Sequence, residues 1–585
     1  MLLEGDPNAL ASSAMCDLDS DDRFGDAEII TDPDGAKLVQ TKIEIAFSDT
    51  ATIGQINSLL ESIDATVTSM LENVNLLVVR IDDPGSLAGL DDVISQVEAD
   101  PCVRYVNKLY LTVPRELPGN VTAGTADTNM IGHHLAVRAH AAWNARAALN
   151  DPYSALPLLI VEDYFGDGPP NLDFDVTSTW SDFVTGSPDS HGYHVLGIIS
   201  ATYGGGASGA ESLRGFATGI CPCTLELRAA DRIGMDLVTA QNNMLSWIKL
   251  SNKNVVVNSS VGFPDFTSAT LPSWCMKATR SWMEKVRGSG LYKTGTTGPA
   301  SLENKFLHCC STGNIGDGPP NSDAALDNVY NMARLLPDLE TEHGVSLANL
   351  NNTLIIENRA YTADQPYKPV CLNNLSKFPG DLSAIGTWVF PLDGCNSDTA
   401  FESGTSMSSP QAAGLAAYVW ILAPGLTPQE VLSLLKATAR DYGSCPTPTP
   451  QSVIDAYSAV LAVDDASALQ EGGWPGEAKV RMTILDVVDD DGNLGGNGAF
   501  DEKDIEYFLQ AYSIETSEPD YSRCDLNGDG YTGGKTTEKF NLDIDYSSTY
   551  GSVTQEILGE TVTFRETSVT DMQVICYYAY SNPKE

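Results

Sequence analysis

The chain has 585 residues, of which 78 are acidic and only 34 are basic, so its formal net charge is −44. A chain of this length is expected to form more than one domain, and 42 % hydrophobic residues are enough for a sizeable core. The charge argues against nucleic acid or an anionic membrane surface as the main partner and favours bound cations, with Ca²⁺ the natural candidate. The sequence contains no run of about 18 uncharged apolar residues, so no membrane span is predicted. Its first residues do not show a basic segment followed by an apolar one, so no secretory signal is visible.

The cysteines nevertheless favour an extracellular setting. There are 12, and they do not form the paired Cys-x-x-Cys sets of a zinc site. An even number of dispersed cysteines in an acidic chain favours an oxidising environment with disulfides, for example between Cys371 and Cys395, although the sequence does not fix the pairing. Reduced, buried cysteines are the alternative. We expect a secreted protein, in open conflict with the missing signal.

Two N-terminal regions differ in pattern. Residues 1–36 are polar and rich in Asp and Gly, and they are predicted to be disordered. Residues 37–118 show strand and helix periodicities in the order βαββαβ, which predicts a ferredoxin-like α+β domain. The predicted strands are 42–47, 67–71, 76–81 and 103–113, and the predicted helices are 53–63 and 87–97. Gly119–Asp127 reads as an exposed linker.

Residues 125–465 alternate between short apolar strands and helical stretches. Leu156–Val161 is almost continuously apolar, which is typical of a strand buried on both faces of a parallel sheet. The pattern predicts an α/β domain with a mainly parallel sheet covered by helices on both faces, and its chemistry at the carboxyl ends of the strands. Asn258–Gly262 closes another such strand and could bind an extended peptide by strand addition.

Polar residues lie at the strand end and the helix starts that such a fold would bring together at one edge of its sheet. Asp163 ends the first buried strand, His191 precedes a helix of small residues, and Ser406 begins an apolar helix. A buried carboxylate could hold a histidine in one tautomer as a general base, and a serine at a helix start lies near N–H groups that suit a developing oxyanion. Each residue taken singly also has a structural interpretation. Asp163 could cap a loop, His191 could be a structural histidine and Ser406 could cap its helix. Asn314, which stands near two glycines, could be a turn residue.

Five stretches in chain order together resemble the motifs of the subtilisin-like serine proteases, or subtilases. They are the strand that ends in Asp163, then His191–Gly197 (HGYHVLG), Asn258–Gly262 (NSSVG), Gly313–Gly316 (GNIG) and Gly404–Pro410 (GTSMSSP). The order of aspartate, histidine and serine is also that of subtilisin.

The resemblance implies a role for each residue. Ser406 would be the nucleophile, His191 the proton carrier and Asp163 the group that orients it, while Asn314 and the Ser406 N–H would bind the oxyanion. His194 would be structural. The primary specificity pocket would have walls formed by Ser260, Val261, Gly262, Ser311, Thr312 and Gly313. Residues 37–118 would be the family's inhibitory prodomain, removed by self-cleavage between residues 111 and 127.

Several positions depart from the family pattern. Tyr164-Phe165 replaces a usual small residue and glycine, Tyr193 replaces a threonine, and Gln411 replaces a histidine. Glu162 is an unusual charge on a core strand, and because strand residues alternate in direction we expect it to have a buried partner away from the Asp163 face. The insertion 317–350 has no counterpart.

The acidic region 471–585 contains 23 acidic and 8 basic residues. Two of its loops resemble degenerate EF-hand or dockerin loops, which predicts structural Ca²⁺ and a small calcium-loop module. The predicted ligands are Asp525, Asn527 and Asp529 in one loop and Asn497, Asp501 and Asp504 in the other. Asp/Gly-rich surface turns are the alternative.

We therefore expect a secreted serine endopeptidase, made as a self-processed precursor, with structural Ca²⁺ and no organic cofactor. Its partners would be protein or peptide substrates, its own prodomain and a scaffold or cell surface that binds the C-terminal region, without nucleic acid or a membrane span. The alternative is a non-catalytic subtilase-fold protein that serves in binding or surface attachment.

Overall fold

The structure is a computed structural model. It describes residues 2–10, 24–33, 37–48, 50–70, 76–111, 113–114, 132–143, 157–165, 191–201, 219–221, 225–232, 235–263, 273–288, 301–314, 326, 328–335, 349–362, 365–370, 376–387, 389, 392–393, 398–399, 402–440, 452–471, 487–488, 492, 503–504, 506–507, 554–557 and 560–563.

An N-terminal module, which we define as residues 29–111, is an antiparallel sheet with two helices. Its elements are β1 (Ile29–Thr31), β2 (Lys37–Phe47), α1 (Ile53–Ser62), β3 (Thr66–Met70), β4 (Leu76–Arg80), α2 (Leu87–Glu98) and β5 (Val103–Tyr110). Strands β4 and β5 flank β2, and β3 pairs with β4. From β2 to β5 the order along the chain is the βαββαβ order that the sequence predicts. Helix α1 begins at a capping box, in which Thr52 and Gln55 bind each other's backbone N–H groups.

The prediction of disorder for residues 1–36 is wrong for the parts that the structure describes. Strand β1 pairs antiparallel with the start of β2. Leu3 is buried, and its backbone exchanges two hydrogen bonds of 2.9 Å with the Asn57 side chain. A few apolar residues within a polar segment are enough to add it to an existing core, and a composition average over 36 residues conceals them.

A second sheet carries the α/β region. Its strands are β7 (Leu158–Asp163), β8 (Glu226–Asp231), β9 (Val255–Ser259), β11 (Phe306–Ser311), β12 (Thr353–Thr362), β13 (Gln365–Val370) and β14 (Leu382–Ile385). The spatial order is β8–β7–β9–β11–β12–β14 with parallel pairing throughout, and β13 pairs antiparallel with β12. The predicted parallel α/β fold is confirmed.

Helices cover both faces of this sheet. They are α3 (Gly132–Ala136), α4 (Ala139–Trp143), α5 (His191–Ser200), α6 (Leu237–Leu250), α7 (Ser273–Arg287), α8 (Val329–Leu335), α9 (Thr405–Leu422), α10 (Pro428–Thr438) and α11 (Ala456–Glu471). Alternate strand residues enter different cores: Leu159 packs with α5 and α9, whereas Ile160 packs with α6, α7 and the N-terminal module. Burial on both faces explains the uninterrupted apolar strands.

Six short strands complete the described strands. They are β6 (Val113–Pro114), β10 (Val261–Gly262), the pair β15 (Leu392–Asp393) and β16 (Asp398–Thr399), and a C-terminal hairpin of β17 (Thr554–Ile557) and β18 (Glu560–Thr563). No described helix is both long and apolar enough to span a membrane.

The described cysteines do not support the expected disulfides. Cys102, Cys221, Cys275, Cys309 and Cys310 are all free and buried, as in the reduced alternative. They sit at core positions, where a thiol packs as a small apolar side chain. The pair Cys371 and Cys395 lies outside the described residues.

Candidate active site

A carboxylate and an imidazole meet at the carboxyl end of β7. Asp163 is the last residue of β7 and His191 is the first residue of α5, and both are buried. His191 Nδ1 lies 2.5 Å from Asp163 Oδ1, which also accepts a 2.8 Å bond from the Tyr164 backbone N–H. A hydrogen bond to the carboxylate places the proton of a neutral imidazole on Nδ1, so that Nε2 is the basic nitrogen.

The departures from the family motifs beside this pair pack against one another. The rings of Phe165 and Tyr193 meet edge to face, with centroids 5.5 Å apart. Between them, Gly192 donates its N–H to Tyr164 O at 2.7 Å, and a Cβ at Gly192 would lie 2.9 Å from the Phe165 ring. The two aromatic residues, each larger than the usual family residue at its position, therefore pack against each other. The Phe165 ring leaves room only for glycine at position 192.

Ser406 lies in the first turn of α9 and is bonded to the end of β9. Its Oγ donates to Ser260 O at 3.1 Å, and Ser260 Oγ donates to Ser406 O at 3.1 Å. Asn258 extends this network, since its Nδ2 donates to Ser260 Oγ at 3.0 Å and its Oδ1 accepts from Ser409 Oγ at 2.8 Å. These bonds fix the start of the helix against the strand. Farther along α9, Gln411 donates to the carbonyls of Ile385 and Met407.

Asn314 reaches the same helix start. Its Oδ1 accepts the Thr405 N–H at 2.9 Å and the Thr405 hydroxyl at 3.2 Å. Thr405 Oγ1 in turn accepts the N–H of Gly313 at 3.2 Å, and Gly313 has a φ of +92°, which favours glycine. Because the side-chain oxygen is bound to Thr405, the amide –NH₂ group is the donor end of the Asn314 side chain.

The two predicted pocket walls extend from neighbouring parallel strands. Ser260, Val261 and Gly262 follow β9, and Ser311, Thr312 and Gly313 follow β11. All the polar residues among them are buried, and Asn331 Nδ2 donates to Ser311 O at 2.8 Å. Strand β10 in the first wall pairs antiparallel with β6, with Val261 opposite Pro114 and Gly262 opposite Val113.

Glu162 has the buried partners that the sequence predicts. Its Oε2 accepts the hydroxyls of Ser259 at 2.7 Å and Tyr330 at 2.5 Å, and its Oε1 lies 3.8 Å from Arg232 Nη1. Burial raises the pKa of Glu162, while Arg232 and the two hydroxyls oppose the rise. Ser259 Oγ is also 2.8 Å from His308 Nε2, so one polar network links β7, β9 and β11 below the site.

The predicted calcium ligands are mostly outside the described residues. Only Asp504 is described, and its Oδ1 accepts the backbone N–H groups of Val487 and Val488 at 2.8 and 3.0 Å. The described part of the chain contains no cluster of three or more His, Cys, Asp or Glu side chains suited to a metal. Asp525, Asn527, Asp529, Asn497 and Asp501 lie outside it.

Sequence reasoning missed three residues of the site. Thr405, Asn258 and Ser409 position the helix start and Asn314, yet a single hydroxyl or amide side chain carries no local mark of such a role. Their only signal is their place inside the two motifs that contain Ser406 and Ser260.

These groups define a class of site. A serine at a helix start, an imidazole held by a carboxylate and an asparagine beside the same helix all lie at the carboxyl edge of a parallel sheet. The subtilase family matches residues 171–452, a little under half of the chain. The matched range contains His191, Asn314 and Ser406, while Asp163 precedes it. Residues 171–452 therefore match a subtilase domain, which supports a subtilisin-like serine endopeptidase.

No curated protein matches the chain. Among solved structures, fervidolysin from Fervidobacterium pennivorans, a keratinolytic enzyme related to subtilisin, is 14 % identical, with a TM-score of 0.45 over 74 % of this chain and 62 % of that chain. The epidermin leader peptide processing serine protease from Staphylococcus aureus is 13 % identical, with a TM-score of 0.45 over 72 % of this chain and 98 % of that one. At this level of similarity neither neighbour bears on function.

Proposed function

We propose that this domain cleaves peptide bonds with Ser406 as the nucleophile, His191 as the general base and acid, and Asp163 as the group that orients the imidazole. The 2.5 Å contact between His191 Nδ1 and Asp163 Oδ1 carries the proposal, because it leaves Nε2 as the basic nitrogen. Ser406 Oγ would turn from Ser260 O towards Nε2 when a substrate carbonyl arrives, a tightening that is common once substrate binds.

Attack by Ser406 Oγ on the carbonyl carbon would place negative charge on the carbonyl oxygen. The Asn314 side-chain N–H and the backbone N–H of Ser406, at the positive end of α9, would share that charge. His191 would then pass the serine proton to the leaving amine and later take one from water to release the acyl group. The walls after β9 and β11 would bind the side chain that precedes the cleaved bond.

Fluorophosphonate labelling after expression of the full chain tests this mechanism. We expect labelling of Ser406, loss of labelling in Ser406→Ala, and unchanged labelling in Thr438→Val, a control on α10 whose hydroxyl bonds within its own helix at Leu434 O. Casein should be hydrolysed by the wild type and by the control variant, but not by Ser406→Ala. Binding of casein without labelling or hydrolysis would contradict the mechanism and favour the non-catalytic alternative.

We also propose that the N-terminal module is the inhibitor of this site in a precursor. The charges that join the two are buried: Lys285 Nζ lies 2.7 Å from Glu44 Oε1, and Lys42 Nζ lies 3.6 Å from Asp236 Oδ2. Apolar and aromatic surfaces of the module share a core with α6, α7 and α8. The burial of Ser406 and the pairing of β6 with β10 support inhibition by occupation of the cleft.

Secretion, structural Ca²⁺ in region 471–585 and attachment of that region to a scaffold or cell surface are further proposals, which rest on the sequence. Carboxylate and amide oxygens are suitable calcium ligands. Calcium titration of the full chain, followed by its melting temperature, tests the metal. We expect Ca²⁺ to raise the melting temperature of the wild type and to have less effect on Asp529→Asn.

A further inference from the structure

Helix α8 lies within the insertion 317–350, and its start contacts both predicted walls of the specificity pocket. We propose that Asn328 and Asn331 hold these walls at a fixed separation and thereby select the side chain that precedes the cleaved bond. The proposal rests on the endopeptidase function proposed above. Both are positioning residues, because they act on the substrate only through the walls.

One amide side chain binds each wall. Asn328 Nδ2 donates to Val261 O at 3.4 Å, in the wall that follows β9. Asn331 Nδ2 donates to Ser311 O at 2.8 Å, where β11 passes into the other wall. Both asparagines are buried, with 3 % and 0 % of their surface exposed. Because positions three apart face the same side of a helical turn, the start of α8 reaches from one wall to the other.

The two asparagines are also bonded to each other. Asn328 precedes α8, and its Oδ1 accepts the Asn331 N–H at 2.8 Å, which caps the helix. The two ends of the Asn328 side chain therefore have separate roles: the oxygen begins the helix, and the –NH₂ group binds the Val261 carbonyl. Neither wall can move away from α8 without breaking one of these hydrogen bonds.

The helix that binds the walls is itself fixed to the strand that carries Asp163. The Tyr330 hydroxyl donates to Glu162 Oε2 at 2.5 Å, and Glu162 directly precedes Asp163 on β7. The apolar side chains of α8 are buried in a core that they share with α7. Because closely packed groups deform little, the two walls, α8 and the end of β7 form one rigid unit.

A pocket of fixed width discriminates between side chains by their size. One methylene more or less in an apolar pocket changes kcat/KM by about 10–200-fold. Removal of one bond from α8 allows its wall to move away from the other wall. Side chains that are too large for the wild-type pocket should then gain relative to smaller ones, while the triad is unchanged.

Competition between two peptide anilides tests the proposal. They differ only in the last residue, which is leucine in one and phenylalanine in the other, and mass spectrometry quantifies both products. Because the substrates compete in one reaction, the ratio of their initial rates gives the ratio of their kcat/KM values, whatever the amount of active enzyme.

We expect two variants to change this ratio. Asn331→Leu, expressed as the full chain like the wild type, should raise the phenylalanine-to-leucine ratio about fivefold or more, within the range for such pockets. Asn328→Ser keeps a capping oxygen for α8 and removes the donor to the Val261 carbonyl, so it should raise the ratio as well.

Asn352→Leu is the matched control on the same strand. Asn352 is fully buried like Asn331, and its Nδ2 donates to Phe306 O at 3.1 Å, at the opposite end of β11 from Ser311. The substitution removes the same kind of bond from the same strand. It should therefore lower the melting temperature as Asn331→Leu does and leave the ratio unchanged.

Each other result decides the matter. A ratio that is unchanged or lower in Asn331→Leu and Asn328→Ser, or that rises equally in Asn352→Leu, would overturn this inference and leave the proposed function standing. The same holds if the wild type reacts with a fluorophosphonate but cleaves neither anilide. A wild type that does neither would refute the proposed function and this inference with it. If its melting curve shows that Asn331→Leu has not folded, the ratio in Asn328→Ser decides.

Discussion

The ion pair between Arg104 and Glu284 offers a measurable contribution to binding between the N-terminal module and the catalytic domain. Arg104 on β5 donates to both oxygens of Glu284 on α7, at 3.1 and 2.9 Å. Glu284 is 1 % exposed and Arg104 is 25 % exposed. Replacement of Arg104 by Met keeps the apolar stem and removes the charge that binds this buried carboxylate.

The expected cost lies at the lower end of the range for such pairs. Truncating one partner of a buried, hydrogen-bonded charge pair costs about 2–5 kcal/mol. Glu284 keeps two other partners, Arg280 Nε at 2.9 Å and the Tyr105 hydroxyl at 3.1 Å, so it is not left isolated. We therefore expect a loss of about 2 kcal/mol, which weakens binding of the module about 30-fold.

The assay measures how tightly the module stays bound after self-processing. Processed protein is diluted in steps, and the appearance of peptidase activity gives the concentration at which the module dissociates. Lys277→Met is the control, because its pair with Glu98 is 29 % and 40 % exposed, and exposed pairs contribute about 0–1 kcal/mol. Equal weakening by Arg104→Met and Lys277→Met, or none by Arg104→Met, would refute the reasoning.

Three other changes test the site and the core. Asp163→Asn should lower kcat about 10⁴-fold with an unchanged melting temperature, since the amide no longer selects the reactive tautomer; a loss of under tenfold in casein hydrolysis would contradict this. Thr405→Val removes the hydroxyl that is bonded to Asn314, so kcat should fall about tenfold while KM stays unchanged. This fall is smaller than the ~10²–10³-fold fall in kcat for loss of an oxyanion donor, because Asn314 itself remains. Thr438→Val on α10, whose hydroxyl bonds within the helix, is its control. Burial lowers the pKa of His308 to about 3 from 6.5. Below pH 6.5 the unfolded chain therefore binds a proton that the folded chain does not. The free energy of unfolding then decreases as the pH is lowered, by up to about 1.4 kcal/mol per pH unit. In urea unfolding, His308→Gln should lose less stability than the wild type between pH 7 and 4.5, and an equal loss would show that His308 is not the source.

Local patterns predicted much of the fold. Leu156–Val161 and Val255–Val257 were recognisable as strands because burial on both faces requires an unbroken apolar run. In β11 and α7 the pattern is weaker. Strand β11 (FLHCCS) contains a histidine and ends in a serine, and α7 (SWCMKATRSWMEKVR) places Lys285 and Glu284 in a buried interface. Charged residues with buried partners do not follow the apolar and polar periodicity from which elements are predicted.

Local patterns in the sequence identify the polar groups at the strand ends and helix starts. Asp163, His191, Asn314 and Ser406 follow from local patterns, because the carboxyl ends of parallel strands gather at one edge of a sheet. The contacts that hold these groups in place come from the folded chain. The bond from Thr405 to Asn314 spans 91 positions of the chain, and Glu162 reaches Tyr330 across 168. Such contacts, like the pairing of β6 with β10, depend on strand register and helix docking, which the packing of the whole core determines.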